Sequence, residues 1–231
     1  MTTDVVDTRI YAPGLVIREH EFSVPLDHDH PEGATIAVFA RELADPDGAD
    51  EPYLVFFQGG PGTESPRPTG PPTGWLARAL KEFRVLLLDQ RGTGRSTPVG
   101  ALPGMTPEEQ ADYLTHFRAD SIVRDAELIR QALGVERWSV LGQSFGGFCV
   151  MTYLSFFPNS LREAFITGGL APIGIHVDAV YRRTYDRVLK RNRTYYDRYP
   201  ADRDRVGGII DALESSDIRL PCGDRLTNHR F

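Results

Sequence analysis

Ser144 stands in Gly142-Gln143-Ser144-Phe145-Gly146, after the short apolar run Trp138-Ser139-Val140-Leu141 and before the helix-like stretch from Phe148 to Leu154. A strand that reverses sharply into a helix lifts one side chain above the sheet edge, provided its neighbours carry almost no side chain to collide. Gly142, Gly146 and Gly147 meet that condition. The chemistry this allows is acyl transfer, with Ser144 as nucleophile once a histidine takes its proton. The negative oxygen that then develops needs N–H donors aimed at it. Gln58-Gly59-Gly60-Pro61-Gly62, behind a predicted strand, is the loop placed to supply them. Pro61 has no N–H, so Gly60 is expected to give one donor and Phe145, next after the serine, the other. Gly59 and Gly62 leave room for a substrate to approach, and Gln143 borders the same place. A plain tight turn would also explain the glycines, but two such motifs in order, each behind an apolar run, favour a serine hydrolase.

These residues need a sheet to hold them. Leu15–Val24 and Thr35–Ala40 read as strands joined by the turn-rich segment Asp27–Gly33, an opening hairpin. Tyr53–Phe57 and Arg84–Asp89 have the continuous apolar character of strands buried on both faces. Trp75–Leu80 reads as a helix, and so does Ser121–Leu133, with Ile122, Ala126, Ile129 and Leu133 on one face, Ser121 as cap and Gly134 beyond. With Arg162–Thr167 as a further strand, about six strands alternate with helices, which predicts an α/β, doubly wound, mostly parallel sheet. From His176 the tail changes character. Val177, Val180, Tyr181, Tyr185, Val188, Tyr195 and Tyr199 recur at helical spacing up to Pro200, and Val206, Ile209, Ile210 and Leu213 mark a second helix. The expected organisation is therefore a sheet domain over residues 1–175 and a helical addition over 176–231.

The 231 residues are 41% hydrophobic and 25% charged, an ordinary globular balance. A net charge of −6 disfavours a nucleic-acid partner. Met1–Asp7 shows no leader and no apolar run reaches membrane-spanning length, so a cytoplasmic protein without a membrane partner is expected. Oligomeric state is open. Cys149 and Cys222 have no metal-ligand spacing; Cys149 reads as a small core residue, with a reactive thiol near the pocket as the rival. His28 and His30 flank Asp29 and hint at a metal clip, against the commoner reading of solvated turn histidines. No metal and no cofactor are expected. Asp89-Gln90-Arg91-Gly92-Thr93-Gly94-Arg95-Ser96 lacks the third glycine of a dinucleotide fingerprint and a Walker lysine, and reads as a structural turn braced by Asp89 and Arg91.

Taken in order, Gln58–Gly62, Asp89–Ser96 and Gly142–Gly147 resemble the proline iminopeptidase (prolyl aminopeptidase) family of α/β-hydrolases. The resemblance spans roughly residues 15 to 175, and the tail resembles the start of that family's helical cap. It implies that Ser144 attacks the carbonyl of an N-terminal proline, releasing it from a peptide, while the Gly60 and Phe145 amides steady the tetrahedral intermediate. It also implies further cap, two more strands, a catalytic aspartate and a histidine beyond Phe231, so the chain is expected to be the N-terminal part of such an enzyme. His176, near Asp178, and His229 are the in-chain candidates for a replacement base. The alternatives are a non-catalytic remnant and a serine hydrolase acting on esters or longer N-terminal peptides.

Overall fold

The computed structural model describes residues 8–12, 14–170 and 174–231; the reading of Met1–Asp7 as free of a leader falls outside them. The chain divides into two units, Met1–Ala171 and Pro172–Phe231. The first is built on a seven-stranded sheet of β1 (Thr8–Ala12), β2 (Leu15–Pro25), β3 (Thr35–Ala44), β4 (Tyr53–Phe57), β5 (Arg84–Leu88), β6 (Trp138–Gln143) and β7 (Leu161–Thr167), in the order β1-β2-β3-β5-β4-β6-β7. The strand beyond the expected six is β1. Pairing is antiparallel from β1 through β3 to β5 and parallel among β5, β4, β6 and β7. The doubly wound part is thus the four-strand parallel block, and the opening hairpin extends it as an antiparallel wing.

Alternation along the strands explains the two cores. Tyr53, Val55 and Phe57 face one side of the sheet with Leu86 and Leu88, while Leu54 and Phe56 face the other with Val85 and Leu87. Helices α3 (Ala119–Ala132) and α4 (Phe145–Phe156) cover the first face through Ile122, Ala126, Ile129, Val150 and Tyr153. Helix α1 (Gly74–Ala79) covers the second through Ala79. Between β5 and α3 runs α2 (Pro107–Thr115), which buries no residue and so shows no apolar stripe in the sequence. Its signal is local instead: Thr106 and Glu109 form a reciprocal capping box with Pro107 in the first turn. The cap expected at Ser121 is corrected. Helix α3 starts from Arg118, whose carbonyl accepts from Ile122 N at 3.0 Å and which makes no side-chain cap. Burial of the Ile122 and Val123 side chains, not a capping hydroxyl, sets where it begins. Gly134 does end it, at φ +67°.

Two buried polar assemblies join these elements. Arg91 and Asp125 are an ion pair with side chains 0% and 1% exposed, Nη2 lying 2.5 Å from Oδ1 and Nε 2.7 Å from Oδ2. The remaining Arg91 N–H groups donate to the carbonyls of Pro25, Leu26 and His116, so one guanidinium ties the end of β2, the α2–α3 junction and α3 to the turn after β5. In the second, Glu127 accepts from Tyr153 Oη at 2.9 Å, Arg130 Nε at 3.0 Å and Ser160 Oγ at 3.1 Å, and Trp138 Nε1 donates to the Tyr153 oxygen at 3.0 Å. Burial alone would raise the Glu127 carboxyl, but the bonds from Arg130 and Tyr153 outweigh it and hold the group below its ordinary value.

The second unit carries α5 (Val177–Arg198), which fills the stretch from His176 to Pro200 marked by the tail periodicity, and α6 (Ala201–Ser215), which contains Val206, Ile209, Ile210 and Leu213. The Tyr195 hydroxyl donates to Asp202 Oδ2 at 2.7 Å across the Pro200 break. Among the described residues no helix is long and apolar enough to cross a membrane.

Asp125→Ala should cost about 3–5 kcal/mol, because it strands a buried guanidinium, and urea unfolding measures this directly. For Glu127 the folded-state value lies below the unfolded 4.5, so its stabilisation is complete above that pH and is lost as pH falls through the folded value. Glu127→Gln should therefore flatten the acid limb of stability against pH; an acid limb of unaltered slope would show that the carboxylate is not stabilised by its partners.

Candidate active site

The strand order places the site. From β4 the chain crosses to β5 on one side and then returns to β6 on the other, so the carboxyl ends of β4 and β6 flank the point where the winding reverses. A crevice opens there in sheets of this kind. The loop Gln58–Gly62 leaves β4 into it, and Ser144 follows β6.

Ser144 has φ +51° and ψ −114°, a conformation rarely adopted by a residue with a side chain. The surroundings hold it there. Its N–H donates to Thr167 O at 2.8 Å, and its carbonyl accepts from Gly147 N at 2.9 Å. The glycines are required by contact. A Cβ on Gly146 would lie 1.9 Å from Phe57 O, and one on Gly142 would lie 2.2 Å from Gly146 O. The elbow therefore rests on the end of β4 backbone to backbone. The Ser144 hydroxyl is solvent-exposed and makes no hydrogen bond among the described residues.

The loop after β4 touches the elbow. A Cβ on Gly59 would meet Gln143 O at 2.9 Å and Ser144 Cβ at 3.1 Å, so Gly59, Gln143 and Ser144 come together. The Gly59 N–H is already used, donating to Gln58 Oε1 at 3.1 Å. The Gly60 N–H has no acceptor among the described residues. The next peptide, Gly60–Pro61, is cis, and Gly60 and Gly62 have φ of +127° and +98°. Phe145 is the first residue of α4, so its N–H belongs to the set without an intrahelical acceptor, at the positive end of a twelve-residue helix. An oxygen that gains negative charge beside Ser144 would meet that end.

Sequence reasoning passed over two supports of this geometry, Gly169 and Gln90. Gly169 packs against the elbow so closely that its Cβ would lie 2.4 Å from Ser144 O; the Gly168-Gly169 doublet after β7 was the available signal. Buried Gln90 donates from Nε2 to Gln58 O at 3.0 Å, tying the post-β5 turn to the loop after β4. Asp89 accepts from Ser65 N at 3.0 Å and from Arg95 N at 3.0 Å, holding both ends of that brace. Asp89 thus keeps to its expected turn, whereas Arg91 reaches across to α3.

The histidines are engaged elsewhere. His28 Nε2 lies 2.9 Å from Asp125 Oδ1, and His30 Nδ1 lies 2.7 Å from Asp27 Oδ2, so the two rings serve different carboxylates instead of one metal clip. Among the described residues no group of three or more His, Cys, Asp or Glu side chains is arranged to hold a metal. His176 is the N-cap of α5, accepting from Asp178 N at 3.3 Å.

A family model described as the alpha/beta hydrolase fold matches residues 52–210. The chain belongs to that family. It is 54% identical over 220 residues to a proline iminopeptidase of Aeromonas sobria and 41% identical over 226 residues to one of Aspergillus aculeatus. These alignments take in 93% and 92% of this chain but 52% and 50% of those proteins, so the chain spans about half the length of the curated relatives it matches. Among solved structures it is similar to a proline iminopeptidase-related protein of Thermus thermophilus, at 29% identity and a TM-score of 0.42, over 64% of this chain and 44% of that one.

Cys149 is wholly buried on α4, and burial pushes its thiol up to about 12. The core reading therefore holds over the reactive one. Native protein should react with a thiol reagent at exposed Cys222 alone, and Cys222→Ser should remove the fast equivalent altogether; a second fast equivalent would place Cys149 within reach of the site.

Proposed function

We propose that Ser144 is the nucleophile of a cytoplasmic serine exopeptidase that releases N-terminal proline from peptides through an acyl-enzyme. The observation that carries this is the elbow itself, an exposed serine hydroxyl at the head of α4 in contact with Gly59 of the loop after β4. The substrate class is taken from the two relatives, each named a proline iminopeptidase. Both cysteines are unpaired, which suits a reducing compartment.

In the proposed reaction the Ser144 oxygen bonds to the prolyl carbonyl carbon while its proton passes to a base. The carbonyl electron pair moves onto oxygen, where the Gly60 and Phe145 N–H groups receive it. Collapse breaks the C–N bond, the shortened peptide leaves with the proton, and water releases proline from the ester. Gly59 and Gly62 give the substrate backbone room, and Gln143 borders its path. By the family pattern the base and its carboxylate partner follow the stretch matched here, and α5 and α6 are the first part of a cap. No cofactor enters the scheme.

In the complete protein, Ser144→Ala should lower release of arylamine from a prolyl arylamide by at least about a thousandfold, with the melting temperature little changed. Retained turnover would remove Ser144 from the mechanism. Faster turnover of p-nitrophenyl esters or of longer N-terminal arylamides would shift the substrate class and leave the nucleophile in place.

A further inference from the structure

A hollow of about 240 Å³ opens beside the two proposed oxyanion donors. It is lined by Pro61 and Gly62 of the loop after β4, by Phe145, and by Val99, Phe117 and Ile122. We propose that this hollow is a subsite for a small apolar side chain on the leaving-group residue, the one that follows the scissile bond. The inference rests on the serine-peptidase reading above and goes beyond it by giving the second residue of the substrate a chemical class.

Three observations support it. The first is position. The hollow shares Phe145 with the head of α4 and Pro61 and Gly62 with the loop that touches Ser144, so it adjoins the crevice that holds the serine. The second is the state of its polar groups. Arg91 lines it, yet all three guanidinium nitrogens are bonded to Asp125 and to the carbonyls of Pro25, Leu26 and His116. The Thr93 hydroxyl donates to Gln90 O at 2.7 Å, and the Gln90 amide nitrogen donates to Gln58 O at 3.0 Å. With these side-chain donors spent, an apolar group competes with few hydrogen bonds when it displaces water from the hollow. The third is size. An apolar cavity of about 150 Å³ holds benzene, so this one takes an isobutyl or phenyl group, while it is below the range for a whole drug-sized ligand, about 300–1,000 Å³.

Charge decides which side of the substrate enters. An N-terminal proline carries a cationic secondary amine beside its carbonyl. The hollow is lined by no carboxylate, and Arg91, the one charged residue on its lining, is already neutralised by Asp125, so nothing there pairs with that ammonium. The hollow therefore favours the neutral side chain of the next residue over the cationic prolyl ring. Phe117 is among its lining residues, and its ring lies against Gly92, where an added Cβ would meet Cδ1 at 2.8 Å.

Two measurements test this. In the complete protein, titration with benzene should give saturable shifts of the Val99 and Ile122 methyl signals, abolished by Val99→Trp. Absence of such shifts overturns the proposal without reference to catalysis. In the complete protein, prolyl-leucinamide should exceed prolyl-glycinamide in kcat/KM by about tenfold or more, and Val99→Trp should bring that ratio toward one. If Val99→Trp fails to fold, Phe117→Ala serves instead, deepening the hollow and moving the preference toward prolyl-phenylalaninamide. An unchanged ratio in a folded variant that still cleaves both substrates overturns the subsite and leaves the peptidase reading standing. Failure of the wild-type protein to cleave either amide overturns the peptidase reading and, with it, the assignment to a leaving group.

Discussion

The site depends on one contact between main chains, the seating of the Ser144 elbow on the end of β4. With 1.9 Å between a hypothetical Cβ at Gly146 and Phe57 O, no side chain of any kind fits between them. Everything else about the serine follows from that closeness. The strand can turn into α4 within one residue, the positive-φ conformation of Ser144 is held by bonds to Thr167 and Gly147, and the helix N-terminus arrives beside the loop carrying Gly59 and Gly60. Backbone strain at a single residue costs of order 1–3 kcal/mol and persists only where its surroundings over-determine it. Here they do, from β4 below, β7 beside and Gly169 behind.

A contact that tight tolerates little movement of the elements on either side, and the buried polar groups limit such movement. Arg91 spends its whole guanidinium on fixing the post-β5 turn relative to β2 and α3. That turn in turn holds the loop after β4 through Gln90 and Asp89. Glu127 and Tyr153 lock α3 to α4 under the elbow, with Trp138 of β6 as third member. Buried ion pairs of this kind add little net stability over apolar packing, but they are costly to break and so favour one arrangement of the elements that share them.

The same economy of donors shapes the crevice. Gly59 N is taken by Gln58, which leaves Gly60 as the open amide of the loop, and the donors around the neighbouring hollow are directed into the protein. The crevice therefore leaves the Gly60 and Phe145 N–H groups, the proposed oxyanion donors, open, with the hollow next to them. Specificity at such a boundary comes from the penalty on a mismatched group as much as from the gain of a matched one.

Much of this was legible in the chain. The elbow, the glycine loop and the buried strands β4 and β5 announce themselves because close approach demands glycine and burial on both faces demands unbroken apolar runs, constraints that act on a few adjacent residues. The tail helices were legible for a similar reason, their period being local. Strand β1, the edge of the antiparallel wing, and α2, which buries nothing, were not, because neither needs a continuous apolar pattern. The start of α3 was misplaced because tertiary burial of Ile122 and Val123 overrode a plausible cap. Gly169, Gln90 and the reach of Arg91 to Asp125 belong to the fold alone: each acts on residues distant in the chain, up to 66 positions away for Arg91, and no spacing rule connects them. That a serine would stand between glycines after a buried strand is written in a few consecutive residues. Which amides beside it stay open, and what surface lies next to them, emerged from the folded packing, because hydrogen-bond partners are assigned by proximity in space and not by order along the chain.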